Sequence, residues 1–149
     1  MSPFASNAMT ALRLHQCLTQ KWCAFVLGVA GVYAAHAAPQ LRCEVTYAGH
    51  THVLVAQPVS DPYAVDAVDI GGRFFFKAVM MGRTAKLDHI LIYVYLHQEP
   101  RPLIVQQLKY LPPFTASAQP YLLTGEQHVY AGPVERELIY RCWLGGVSP

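Results

Sequence analysis

Residues 41–47 read LRCEVTY and residues 138–144 read LIYRCWL, and these two stretches decide the fold class. In both stretches an apolar side chain recurs at every second position. This period is typical of a β-strand that buries one face. Cys43 and Cys142 occupy inward positions of these predicted strands. We therefore expect the first and the last strand of a β domain here.

Cys43 and Cys142 also predict a disulfide. They are the only two cysteines beyond residue 38, and an even pair is typical of an exported protein. A loop of this size corresponds to about 4.7 kcal/mol of chain entropy. A reactive or metal-binding thiol would favour a nearby base or a CxxC spacing, and neither is present. We interpret the pair as structural.

The chain between the cysteines keeps the β pattern, with glycine and proline between short apolar runs. The further predicted strands are Thr51–Gln57, Arg73–Met81, His89–His97, Pro102–Tyr110 and Gln127–Ala131. Tyr63–Asp69 fits either another strand or one helical turn. Residues 38–149 thus predict one all-β domain, an antiparallel immunoglobulin-like sandwich or a small barrel, closed by a disulfide between its first and last strands.

Residues 1–37 have the pattern of a signal peptide. Arg13 and Lys21 precede an apolar run over residues 22–35, and the small residues Ala35 and Ala37 suit cleavage after Ala37, with Ala38 as the alternative. A membrane anchor would need about 20 apolar residues, and this run has 14. We therefore expect a periplasmic or secreted protein without a membrane span after cleavage.

Removal of residues 1–37 leaves nine basic and nine acidic residues, so the mature domain has no net charge. Without a basic stripe, nucleic acid is not an expected partner. Ser60, Ser117 and Ser148 lie outside any nucleophile motif. The aspartates at 61, 66 and 69 suit turns and caps better than calcium ligation or catalysis. We expect no enzymatic activity and no cofactor.

One predicted strand carries a candidate partner-binding surface. On His89–His97 the face opposite the aliphatic set presents His89, Leu91, Tyr93, Tyr95 and His97, and Phe75 faces outward on a neighbouring strand. Tyrosine-rich faces with few charges are typical of recognition sites. The alternative is a central strand that is covered on both faces.

His50 and His52 suggest a second function. Two imidazoles on one strand face suit copper or zinc, with Met80 and Met81 as possible soft ligands for cuprous copper. Sequence spacing specifies no third ligand, so we do not favour a metal site. The sequence predicts an exported, non-enzymatic binding or envelope-accessory module with a protein partner in the cell envelope, and a periplasmic copper- or zinc-binding protein as the alternative.

Overall fold

The computed structural model describes residues 38–83, 86–117, 119–132 and 136–147, and within these ranges the chain is all-β. The predicted signal peptide lies outside the described residues. The strands are β1 (Gln40–Tyr47), β2 (His50–Ala56), β3 (Pro58–Val59), β4 (Val68–Ile70), β5 (Phe74–Arg83), β6 (Lys86–Leu96), β7 (Leu103–Tyr110), β8 (Tyr121–Leu122), β9 (Gln127–Ala131) and β10 (Arg136–Gly145).

The strands form two sheets. Sheet A has the order β2-β1-β10, and both β8 and β9 pair with the far edge of β10. Sheet B has the order β5-β6-β7, with β3 and β4 both on the far edge of β5. All pairs are antiparallel except that of β3 with β5, which is parallel. Sheet B is therefore mixed, where a purely antiparallel domain was expected.

The inward residues of the two sheets meet in one core. Phe76 of sheet B contacts Tyr140 of sheet A edge to face, with ring centroids 5.1 Å apart. The Tyr140 hydroxyl donates a hydrogen bond of 2.7 Å to Gln106 Oε1 across the sheets, and burial raises the pKa of this tyrosine. The arrangement is sandwich-like, with apolar burial as its main stabilising term.

The predicted disulfide is confirmed. Cys43 and Cys142 are directly opposite each other in the β1–β10 pairing, both are fully buried, and their Cα atoms are 4.0 Å apart. The bond lies within sheet A, whereas the disulfide of antibody domains joins the two sheets. It joins the first strand to the last, as the sequence predicted.

The ambiguous stretch from Tyr63 to Asp69 contains both of its alternatives. A 3-10 turn covers Pro62–Ala64, where the Asp61 side chain accepts a hydrogen bond of 2.9 Å from the Tyr63 amide. Strand β4 then begins at Val68. The two-residue strands β3 and β8 were not predicted, because two residues are too few to show a period.

Candidate functional site

The structure brings the predicted partner-binding residues to the outer side of sheet B. In the β5–β6 register Phe75 lies opposite Tyr95, and Met81 lies opposite His89. We call the outward residues of this region the aromatic face. Its members are Phe75, His89, Leu91, Tyr93, Tyr95 and His97.

The rings of the aromatic face pack against one another. Tyr93 and Tyr95 stack with centroids 5.9 Å apart and an interplanar angle of 22°. Phe75 and His97 lie 5.1 Å apart, and His97 Nδ1 is 3.2 Å from the carbonyl oxygen of Gly72. This second contact lies at the start of β5, so it positions the His97 ring beside Phe75. The face is therefore a packed row of rings.

Burial differs along the aromatic face. Both tyrosines and Phe75 are half-buried, while His97 is exposed. Val79, an outward residue opposite Leu91, is only 1% exposed although it lies outside the main core cluster. None of the described strands forms a third layer over this face. The contacts of Tyr93 with Tyr95 and of Phe75 with His97 contribute to this half-burial.

A shallow depression adjoins the aromatic face. It measures about 310 Å³ and is lined by Ala67, Phe75, Tyr95 and Pro102. Burial, and secondarily the neighbouring Tyr93, raise the pKa of Tyr95, so its hydroxyl stays protonated and can donate a hydrogen bond at neutral pH. The depression can accept an apolar group beside a hydroxyl donor.

Charge on the strands of the aromatic face is sparse. The register places Lys77 opposite Tyr93, and Lys109 opposite Leu91. Strand alternation puts both lysines on the outer side, where Asp69 also lies, opposite Phe75 in the β4–β5 register. Arg73 immediately precedes β5, and its guanidinium packs against the backbone at Gly132, after β9 of sheet A. The turn at residues 71–73 turns this side chain away from the sheet B surface.

The outer side of sheet A has the opposite character. Its polar residues form a connected network with one tryptophan, which we call the charged face. Its members are Arg42, Glu44, Glu126, His128, Tyr130, Glu137, Arg141 and Trp143. Sequence reasoning missed this face, because its members come from separate strands and only the β1–β10 and β9–β10 registers bring them together.

Glutamates connect the arginines of the charged face. Glu44 lies 2.8 Å from an Arg42 nitrogen and 3.8 Å from an Arg141 nitrogen. The two guanidinium carbons lie 5.8 and 5.6 Å from the Trp143 ring centroid, within the range of a cation–π interaction. The arginines are therefore held by carboxylates and by the indole ring.

His128 is held between two carboxylates. Its Nδ1 lies 2.6 Å from Glu137 and its Nε2 lies 3.3 Å from Glu126. The hydrogen bond with Glu137 contributes most to raising the pKa of His128. Hydrogen bonds from Tyr130 and His128 lower the pKa of Glu137. When protonated, His128 donates from both ring nitrogens to these carboxylates, because a carboxylate can only accept.

The histidine pair of the alternative metal-binding interpretation lies elsewhere. His50 and His52 share one face of β2 and line a depression of about 450 Å³ with Tyr47. Met80 is fully buried in the core. Tyr47, which lines the depression, contacts Phe74 at the start of β5. Met80 lies six residues further along β5, which is about 20 Å from Phe74. The described residues contain no group of three or more His, Cys, Asp or Glu arranged to hold a metal ion.

No protein-family model matches this chain, and no curated protein or solved structure is significantly similar to it. Within the described part of the chain, no helix has the length and apolar character needed to cross a membrane.

Proposed function

We propose that the protein is an exported, non-enzymatic binding module of the cell envelope, and that its aromatic face binds a protein partner. The observation that supports this most is the packed row of Phe75, Tyr93 and Tyr95, which has no covering layer among the described strands. Tyrosine provides a large contact area with little rotamer entropy to lose, and its hydroxyl keeps a polar contact.

The geometry of the rings favours binding without rearrangement. The stack of Tyr93 on Tyr95 and the contact of Phe75 with His97 hold these side chains before any partner arrives. A preorganised surface loses less side-chain entropy on association, and more of its contact energy remains as affinity. The depression beside Tyr95 provides a place for one apolar side chain of the partner.

The charge of the aromatic face indicates the kind of partner. Alternation places the basic residues Lys77, Lys109 and Arg83 on this side, and the β4–β5 register adds one acidic residue, Asp69, opposite Phe75. The Asp69 carboxylate already accepts a hydrogen bond of 2.6 Å from the Gly72 amide, so the free charge of this side is basic. We therefore propose a partner surface that combines apolar or aromatic groups with carboxylates at its rim. Rim charges mainly change the association rate and its salt dependence.

Export is supported by the disulfide in the core. Such bonds persist in oxidising compartments and are rare in the cytosol. Cys43 and Cys142 are both fully buried, so the bond serves the fold. We propose the periplasm or the exterior as the place of action.

Site-specific photo-crosslinking tests the binding surface. Tyr95 is replaced by p-benzoylphenylalanine, and Tyr130, a 61% exposed tyrosine on the charged face, is replaced in the same way as the control. We expect an adduct with a discrete envelope protein from position 95, lost when Tyr93→Ala and Phe75→Ala are added, and no such adduct from position 130. Equal adducts from both positions, or none from position 95, would refute the assignment.

The metal-binding alternative keeps one favourable observation, the shared depression of His50 and His52. Two imidazoles are fewer than the three or four protein ligands typical of zinc sites. Native mass spectrometry tests the metal-binding alternative. Stoichiometric copper or zinc that disappears in a His50→Ala, His52→Ala variant would replace the binding-module proposal with a metal carrier.

A further inference from the structure

Strand β2 is an open edge of sheet A. It pairs with β1 on one side, and none of the described strands pairs with its other side. An edge strand presents unpaired backbone groups that can pair with another strand. The direction of these groups follows from the neighbouring strands.

The disulfide pair indicates which backbone groups point outward. The Cα separation of 4.0 Å between Cys43 and Cys142 is that of a pair without mutual hydrogen bonds. The Cys142 amide instead donates to Thr124 Oγ1 on the other side of β10. The amide and carbonyl of Cys43 therefore point toward Leu54, its partner on β2.

The alternation of backbone directions along β2 then determines which amides and carbonyls lie on the open edge. Since Leu54 bonds with β1, the amides and carbonyls of Thr51, Val53 and Val55 point away from the sheet. Hydrogen bonds to these groups are absent among the described residues. The edge thus offers donors and acceptors at every second residue.

The side chains of β2 do not protect this edge. Val53 is 53% exposed and Val55 is 54% exposed on the outer side. The strand HTHVLVA contains no lysine, no proline and no formally charged residue with histidine neutral. Edge strands are usually blunted by lysine, proline, bulges or very short length.

The other edges of the two sheets carry such devices or are shorter than β2, since β4 has three residues and β9, which contains no lysine or proline, has five. Strand β7 contains Lys109 and an irregular register opposite Tyr95, and Pro112 and Pro113 follow it. Strands β3 and β8 have two residues each, and β3 begins with Pro58. Strand β2 therefore stands out as an edge that is long and unprotected.

We propose that β2 pairs antiparallel with β2 of a second copy of this chain, with Leu54 on the two-fold axis. In this register each exposed Val53 lies opposite Val55 of the other copy. Thr51 then lies opposite Gln57, and the two Leu54 side chains meet on the inner face. The outward backbone groups of Val53 and Val55 bond with one another, as antiparallel pairing requires.

A cleft beside β2 supports this occupant. It measures about 360 Å³ and lies between the open edges of the two sheets, with Leu54, Ala56, Val68 and Phe76 in its lining. Asp66 is its only charged lining residue. Pairing brings Leu54 of the second copy to the mouth of this cleft, so that apolar surface on both copies leaves water.

The composition of β2 favours a second copy over an unrelated chain. The strand is complementary to itself in the proposed register, because valine meets valine and leucine meets leucine. It also has no formal charge to repel its own copy. A C2 interface of this kind is self-complementary and closes without forming a fibre.

A proline substitution tests the pairing selectively. Val53→Pro removes an amide that points out of the sheet, so the β1–β2 ladder keeps its bonds. Val53→Thr is the matched control, since it keeps the amide and a branched side chain. Sedimentation velocity over a range of protein concentrations, with circular dichroism to check the fold, measures the result.

We expect the unmodified protein and Val53→Thr to form a dimer, and Val53→Pro to remain a folded monomer. Hydrogen exchange gives an independent readout, in which the Val53 and Val55 amides of the unmodified protein exchange more slowly as its concentration rises. The Leu54 amide, bonded to β1, stays protected throughout. A protein that is monomeric at every concentration, or a dimer with fast Val53 exchange, would overturn the proposal, whatever the crosslinking at Tyr95 shows.

Discussion

The outer faces of the two sheets follow the same period-two alternation and have opposite chemistry. On sheet B the outward positions of β5 and β6 present rings that pack on one another. On sheet A the outward positions of β1 and β10 present arginines and glutamates in a network around Trp143. The difference teaches that polar groups on the charged face already have partners within the chain, whereas the rings of the aromatic face contact one another and have no covering strand among the described residues.

The largest expected effect comes from removing the disulfide in the core that lies beneath both faces. We expect the double variant Cys43→Ala, Cys142→Ala to lose about 2–5 kcal/mol of unfolding free energy, because its unfolded chain is no longer restrained by the long loop. Urea denaturation under non-reducing conditions measures this loss. Dithiothreitol should destabilise the unmodified protein and leave the variant unchanged; equal sensitivity of both would contradict the prediction.

The next effect separates the two faces as binding surfaces. Once the crosslinked partner is purified, we expect Tyr93→Ala or Tyr95→Ala to weaken its binding about thirtyfold, a loss of about 2 kcal/mol. Tyr130→Ala on the charged face should leave the Kd within about twofold. Isothermal titration calorimetry measures the Kd of each variant and of the unmodified protein. A larger loss for Tyr130→Ala would reverse the roles of the faces.

A smaller effect concerns the pH dependence of the charged face. The raised pKa of His128 stabilises the fold fully below its ordinary value of 6.5 and loses this contribution as pH rises through the raised pKa. The lowered pKa of Glu137 contributes above its ordinary value of 4.5 and is lost as pH falls through the lowered pKa. The pair therefore contributes most between pH 4.5 and 6.5.

Thermal unfolding of the unmodified protein and of Glu137→Gln measures this difference across pH. We expect the two Tm values to differ most in that window, to converge below it as Glu137 is protonated, and to differ less above it as His128 loses its proton. An NMR titration should show the His128 pKa falling in Glu137→Gln. A His128 pKa that does not change in Glu137→Gln would contradict the inferred effect of the Glu137 hydrogen bond on His128.

The smallest effect tests a single ion pair of the charged face. Glu44→Gln removes the carboxylate between Arg42 and Arg141, whose side chains are both 47% exposed. Such surface pairs contribute about 0.5 kcal/mol or less and are screened by salt. Urea denaturation at low and high salt should show the deficit of Glu44→Gln shrinking with salt. A deficit of several kcal/mol would instead indicate a structural role for the network.

Sequence reasoning identified the long strands and the aromatic row, because each depends on a pattern within one stretch. The His89–His97 prediction corresponds to β6, and Tyr93 and Tyr95 lie on its outer face as alternation requires. The charged face escaped it, because Glu137 and His128 are nine residues apart and meet only through the β9–β10 register. The turn of Arg73 toward Gly132 also escaped, since local sequence does not determine which sheet a turn residue contacts.

By itself the sequence determined the all-β class and the pairing of its two cysteines beyond residue 38, because alternation and cysteine count are properties of the linear chain. Only the tertiary structure decided that Cys43 and Cys142 face each other within one sheet. It also decided that Arg42, Trp143 and Arg141 stack together and that the edge of β2 opposite β1 has no partner among the described strands. These features depend on strand order and register, which arise from packing between segments far apart in the chain.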